Sequence, residues 1–293
     1  MAFSSIDDLV SEITSGKFHR ADWNKITGGA AYTAGRWYDT SALNGTPVGT
    51  SFPGTALAWN TCTETAGDGT NVFGIPHGGA VSADTKHVLN VAAVTAVATG
   101  VPTTLMLCDM QGYWPGVSMN SSASQALTGT PTLRYANGAG CRLFLTARST
   151  TGATAHNLSY SYTNQAGTSG RTQPVTVGCT ASAITPHIVH SGTAANNYGP
   201  FLPLENGDTG VKNVASVQLS AASGAGTAAL VLTRPLLTLP ITTVGVAGER
   251  DLVTQLPSLP RVLDGACLHW LLFTGAATAA NTSFYGAIEL GWG

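Results

Sequence analysis

Asn90-Val91-Ala92-Ala93-Val94 recurs 123 residues later as Asn213-Val214-Ala215-Ser216-Val217, and the match is not isolated. Leu105-Met106-Leu107 recurs as Leu230-Val231-Leu232, and Pro115 lines up with Pro240. Arg134 and Asn137-Gly138-Ala139 line up with Arg261 and Asp264-Gly265-Ala266. Cys141 with Leu143-Phe144-Leu145-Thr146 matches Cys267 with Leu271-Leu272-Phe273-Thr274. Ala, Gly and Thr are abundant, so short matches are common by chance. Chance does not explain blocks that stay collinear at offsets between 123 and 128. Self-similarity of this kind constrains the fold more than any single motif. It is clearest over residues 84–157 and 208–281 and predicts two related units of one design.

The repeated segments have strand character. Residues 88–97 and 211–219 alternate apolar with small or polar side chains, the period of a sheet with one buried face. Leu105 to Cys108, Arg142 to Thr146 and His269 to Thr274 are short apolar runs bounded by turn residues, as central strands are. The chain has 35 Gly and 14 Pro. Asn137-Gly138, Asp264-Gly265 and Asn206-Gly207 are turn dipeptides. Many short strands at regular spacing imply sandwiches or barrels. The expectation is an all-β chain: two tandem, related β-sandwich or jelly-roll domains with a short N-terminal amphipathic helix. Jelly-roll and immunoglobulin-like topologies both fit. The expected divisions are 1–27 for the helix and arm, 28–166 for the first domain and 167–293 for the second.

Ile6, Leu9, Val10 and Ile13 form an apolar stripe at helical spacing. Ser5 followed by Asp8 has the capping-box spacing, and Gly16 suits the stop. A helix this short needs a partner. Either its own β-domain or a neighbouring subunit would serve, with Phe18 and Trp23 as further anchors. Trp37 and Trp114, in Arg36-Trp37-Tyr38 and Tyr113-Trp114-Pro115-Gly116, complete the candidate interface residues. The bland alternative for these aromatics is core or loop packing; a sugar-stacking role is the third.

Charged residues are only 10% of the chain, with 13 Lys+Arg against 15 Asp+Glu and a net charge of −2. Average soluble domains carry roughly 25%. No basic stripe is present to neutralise phosphates, which argues against a nucleic-acid partner. No apolar run reaches a membrane span, because Arg234, Pro235 and Pro240 interrupt the greasiest stretch. A weakly charged surface opposes association little. The start of the chain has Asp7, Asp8 and Glu12 and no long apolar segment, so no secretion signal is expected. That pairs an extracellular-looking composition with no export signal. A virion protein, made in the host cytoplasm and released by lysis, reconciles the two; removal of a signal is the rival explanation.

No site motif stands out. Five cysteines, at 62, 108, 141, 179 and 267, form no paired metal-ligand spacing and suit buried small apolar residues. His187-Ile188-Val189-His190 places two His three apart, on opposite faces of a strand. Asp68 and the Glu205–Asp208 stretch offer too few carboxylates for calcium. Asn44, Asn120, Asn157 and Asn281 begin glycosylation sequons that an Asn/Ser/Thr-rich chain generates by chance. Neither a catalytic residue, a cofactor nor a metal is expected, and the chain reads as non-enzymatic. A glycan hydrolase on a β-sandwich is the enzyme alternative, since two acids could still meet in space.

The helix over Ser4 to Ser15, the Ala/Gly/Thr-rich β-units and the late segment Asp264-Gly265-Ala266-Cys267…Phe273-Thr274-Gly275-Ala276-Ala277 together resemble tailed-bacteriophage virion proteins. More narrowly, the chain resembles capsid decoration, or cement, proteins built on jelly rolls. The resemblance implies a protein that binds across subunit boundaries of a capsid, with the major capsid protein and copies of itself as partners. It carries over no functional residue. Such families often use one jelly roll per chain, and this chain departs from them in having two related units. A tail, collar or head-fibre component binding a host glycan is the alternative.

Overall fold

The computed structural model describes residues 3–64, 74–192, 199–255 and 259–293. The chain is mostly β-sheet, 44% strand and 8% helix, in three antiparallel sheets. In chain order the first elements are α1 (Ile6–Thr14), β1 (Phe18–Ile26), β2 (Arg36–Asp39), β3 (Asn44–Thr46) and β4 (Asn60–Thr61). Next come β5 (Lys86–Val94), β6 (Thr103–Ser118), β7 (Gln125–Ala126), β8 (Arg142–Ala147) and β9 (His156–Asn164). Then follow β10 (Arg171–Thr172), β11 (Val177–Cys179), β12 (Val211–Leu219), β13 (Thr227–Ile241) and β14 (Gly248–Asp251). The chain ends with α2 (Leu252–Gln255), β15 (Arg261–Val262), β16 (Leu268–Thr274) and β17 (Ser283–Trp292).

The central sheet has the order β2-β16-β6-β13-β8, with β4 beside β6. The first outer sheet runs β14-β5-β17-β1-β3, with β15 also on β5. The second runs β10-β9-β12-β7, with β11 also on β9. One end of the central sheet, through Leu105, Leu239, Trp270 and Leu272, packs on Trp23, Val91 and Ile288 of the first sheet. The other end, through Trp114, Leu143, Leu145 and Leu230, packs on Leu158, Tyr162, Val214 and Val217 of the second. Each such fully buried side chain contributes about 1.5–3 kcal/mol relative to exposure. The central sheet also closes on itself. His187 bridges Tyr38 of β2, and Ile188 bridges Thr146 of β8, so one segment joins both edges. Closure removes the exposed edges that would otherwise recruit another chain. Cys108, Met110, Phe144, Ile188 and Leu271 form a third cluster within this ring.

The strand pairing has a two-fold pattern. In the β6–β13 ladder Leu105 pairs with Leu239, and Trp114 with Leu230. Leu230 lies 125 residues after Leu105, and Leu239 lies 125 after Trp114, so the two pairs exchange under that shift. The ladder's midpoint is Asp109 opposite Arg234, again 125 apart. The flanking strands obey the same relation. Leu145 of β8 pairs with Leu230, and Leu272 of β16 pairs with Leu105. Beyond them β9 lies on β12 as β17 lies on β5. This register corrects one sequence match. Leu143 is equivalent to Trp270, not Leu271, because β8 and β16 align at an offset of 127. The similar apolar runs tolerated a one-residue slip on paper that the ladder does not.

The pairs cross the 166/167 division. Among the described residues, none of the six strands after residue 192 pairs with another of the six. β12, β13, β14, β15, β16 and β17 each pair only with strands earlier in the chain. The two repeats are interleaved, each sheet drawing strands from both.

Helix α1 starts where the spacing predicts. The Ser5 hydroxyl accepts from Asp8 N at 3.0 Å, satisfying a free N–H of the first turn. The Asp8 carboxylate reaches back to Ser4 N at 2.8 Å rather than to Ser5 N, which lowers its pKa. Gly16, at φ +91°, ends the helix. No helix among the described residues is long and apolar enough to cross a membrane.

Candidate interaction surface

The two outer sheets share a register but not an outer surface. In the first sheet Val91 pairs with Ile288 and Val94 with Tyr285, three residues on each strand. In the second, Val214 pairs with Tyr162 and Val217 with Tyr160, three residues against two. The extra residue is a β-bulge in β12, and it reverses the side-chain phase beyond it. Val217 and Tyr160 therefore turn into the core, at 1% and 2% exposure. Their equivalents Val94 and Tyr285 stay outside, with Tyr285 44% exposed. The outward residues of β9 are Asn157, Ser159, Ser161 and Thr163. The first sheet instead presents Ala92, Val94, Tyr285 and Ala287 around a groove of 520 Å³. Arg20, Asp22 and Asn24 of β1 line its other side. Ala247 adds to the wall, and its turn exposes Val244 and Val246.

Helix α1 covers the opposite end of this same face. Leu9 is buried there but belongs to none of the three core clusters. Phe3 lies tilted against His87, ring centroids 5.9 Å apart, and Gly291 leaves room between Leu89 and Phe3. Lys17 ties the helix end to the sheet through Glu12 and Asp84, both at 2.9 Å. Helix α1 thus docks on its own chain and still leaves Ile6 60% and Val10 57% exposed. Ile13 is half-buried and Phe18 is 38% exposed. Three of the anchors expected from sequence are internal and offer no surface. Leu9 is the helix's docking residue. Trp23 packs on Trp270 at 5.3 Å, and Trp114 packs on Trp59 at 4.6 Å with its Nε1 donating to Thr128 O. Trp37 is half-buried, 5.2 Å from Phe273, beside a 330 Å³ cavity lined by Thr104, Met106 and Thr238.

Several buried charges are bound up in structural networks. Asp109 accepts from Arg134 Nε at 3.2 Å and from Cys267 N at 2.9 Å. Arg234, its partner on the two-fold, donates to Ala139 O and stacks on Tyr135 at 4.3 Å. Ala139 and Ala266 are equivalent turn positions, so each axis residue holds the other repeat's turn. Lys86 donates to His77 Nδ1, His77 O and Gly79 O at 3.0, 2.6 and 2.6 Å, engaging all three of its protons. His77 Nε2 is then the protonated nitrogen and meets Ala266 O at 3.0 Å. Glu64 accepts from His77 N and Gly79 N. Burial holds the Lys86 pKa below its usual value, but no donor is left to offer a ligand.

His187 and His190 are both buried, and burial pushes both pKa values down to about 3. His187 meets Ser191 Oγ at 3.3 Å, whereas neither ring nitrogen of His190 has a partner among the described residues. No group of three metal-ligating side chains occurs among the described residues. Asp208 accepts from Tyr162 Oη at 2.6 Å, Asn164 Nδ2 at 2.7 Å and Arg171 Nε at 3.0 Å, so the Glu205–Asp208 stretch is a hydrogen-bonded turn. Asp68 lies outside the described residues. All five cysteines are buried and free. Sequence reasoning missed Lys86, Asp109 and Arg134. Their signal was available, since Asp109 is a lone charge inside the apolar run Leu105 to Met110.

Comparison with family models, with curated proteins and with solved structures gave no match.

Proposed function

We propose that this chain is a non-enzymatic virion structural protein that decorates and stabilises a phage capsid by binding across subunit boundaries. The observation that carries the reading is the difference between the two outer sheets. A register-equivalent pair of tyrosines is buried on one sheet and displayed on the other, beside a groove and a helix with free apolar residues. Exposed aromatic and aliphatic residues clustered on one face mark an interaction surface. The low charge and the resemblance to decoration proteins support an assembly role. We read the interleaved repeats as a duplicated jelly-roll-like unit, a fused dimer whose copies exchanged strands.

Stabilisation would follow from mass action, because a partner that binds only the assembled shell favours assembly. The test is co-sedimentation of the purified protein with particles lacking it, followed by heating. Shells should bind it and survive higher temperature. Shells that neither bind it nor gain heat resistance would sink the reading. The alternative, a tail, collar or head-fibre component binding a host glycan, is favoured by the Trp37–Phe273 pair beside its Thr-lined cavity. Quenching of Trp fluorescence by a host glycan, lost in Trp37→Ala, would establish it.

A further inference from the structure

We propose that Cys62 and Cys267 are a modification site, a thiol pair that closes to a disulfide when the chain folds in the presence of a small-molecule disulfide. The pair sits where two segments meet on one edge of β6. β13 occupies the other edge from Thr103 to Ser118. On the near edge β16 pairs with β6 as far as Asp109, and β4 takes over at Gly112. Cys267 is the residue before β16, and Cys62 is the residue after β4. Met110 N donates to Cys267 O at 2.9 Å, and Cys62 N donates to Gln111 O at 3.0 Å. Consecutive residues of β6 thus hold the two cysteines. Glu64 N donates to Gly265 O at 3.3 Å, two residues out from each cysteine, so the two segments leave the sheet side by side.

The side chains meet inside the central ring, where both belong to its buried cluster. The Cys62 thiol is in hydrogen-bonding contact with that of Cys267, and its Sγ is 3.6 Å from Met110 Sδ. Gly74 backs the Cys267 sulfur so closely that a Cβ there would lie 2.9 Å from it. The Asp109–Arg134 ion pair fixes both backbones. Arg134 Nη1 donates to Cys62 O at 2.5 Å, and Asp109 Oδ1 accepts from Cys267 N at 2.9 Å. Thiols already in contact need little backbone movement to reach disulfide geometry. Among the described residues no second pair competes. Cys108 shares the cluster, but its Sγ turns to Met106 O at 3.8 Å. Cys141 and Cys179 lie in the core under the second outer sheet, and neither contacts a thiol.

Thiol–disulfide exchange closes the bond with no further reagent. One cysteine, as the thiolate, attacks a sulfur of the small disulfide; that S–S bond breaks, and one small thiol leaves with a proton. The second cysteine attacks the mixed disulfide and releases the other small thiol. Two electrons and two protons pass from the cysteines to the small disulfide. The thiolate is the nucleophile, and burial pushes the Cys62 thiol well above its ordinary value. The folded pair therefore reacts slowly, and closure belongs to folding, before burial is complete. The same burial then shields the bond from reductants. The link joins residues roughly two hundred positions apart, and closing so long a loop removes much entropy from the unfolded chain.

Refolding the reduced, urea-unfolded full chain in a mixture of reduced and oxidised glutathione tests this. Thiol titration under denaturing conditions should show two of the five thiols lost, and peptide mapping should place the link between Cys62 and Cys267. The oxidised chain should melt roughly 5–10 °C above the reduced chain. Dithiothreitol should reduce the bond only under unfolding conditions. Cys62→Ser and Cys267→Ser should each abolish the link and the gain in melting temperature, whereas Cys108→Ser should keep both. If the chain does not refold in this mixture, native chain held with oxidised glutathione in sub-denaturing urea should acquire the same link. Five free thiols, a link between other cysteines, or glutathione left on Cys62 or Cys267 in place of the link would overturn the proposal in either experiment.

Discussion

Asp109 and Arg234 face each other at the centre of the β6–β13 ladder, 125 residues apart in a chain that repeats at that interval. They do not pair with one another. Asp109 takes Arg134 and Cys267 N, while Arg234 holds Ala139 O. The two matched segments thus pair strand to strand, and the turn of each is tied to the central strand of the other. Removing one member of a buried ion pair leaves the other uncompensated, at about 3–5 kcal/mol. Asp109→Ala should destabilise by that order in urea titration at neutral pH. Asp109→Leu/Arg134→Met should recover much of the loss, because no charge is then stranded.

The interleaving makes a prediction about fragments. Among the described residues, the strands after residue 192 find ladder partners only in strands before it. A fragment of residues 193–293 should be unfolded alone by circular dichroism. It should gain sheet structure on mixing with residues 1–192. Autonomous folding of the later fragment would contradict the pairing.

Two equivalent turn glycines separate backbone conformation from packing. Gly138 and Gly265 have φ +72° and +71°, where a side chain is strained by about 1–2 kcal/mol. A Cβ at Gly138 would overlap Val211 O, while one at Gly265 would meet nothing nearer than Thr63 at 3.9 Å. Gly265→Ala should cost about 1–2 kcal/mol, the conformational strain alone. Gly138→Ala should cost clearly more, because the β12 backbone must move. Thermal unfolding of the two variants side by side checks the difference.

Much of this fold was legible in the sequence. The alternating runs located β5 and β12, the short apolar runs located β8, β16 and part of β6, and Ser5 and Gly16 located both ends of α1. The interleaving of the strands was not legible. A repeat specifies which face of a strand is buried and which register it prefers, and its own copy or the other copy satisfies both equally. The β12 bulge was hidden for a related reason. Val94 and Val217 occupy matched positions in matched motifs, and only the phase of the neighbouring strand decides which is outside. The same phase decided that Trp23 and Trp114 are core residues. Composition proposed them as anchors, but a strand has two faces and the residue type suits both.

Acid should weaken the fold through the ring's histidines. His187 and His190 have folded pKa values of about 3, below the ordinary value of 6.5, because burial disfavours their charged forms. The unfolded chain therefore binds more protons between those values. Stability is fully present above pH 6.5 and falls as pH drops toward 3, by up to about 1.4 kcal/mol per pH unit for each histidine. His190→Met should flatten this dependence, since neither nitrogen of His190 bonds a described residue. Urea midpoints across the pH range check both statements.

Binding to particles is the most direct test of the role assigned to the first sheet's outer face. Purified wild type, Tyr285→Asp and Val175→Asp would each be titrated onto capsids lacking the protein and sedimented. Wild type and Val175→Asp should bind to saturation at a fixed number per shell and raise its melting temperature, whereas Tyr285→Asp should remain in the supernatant. Failure of the wild type to bind, or equal binding by Tyr285→Asp, would contradict it.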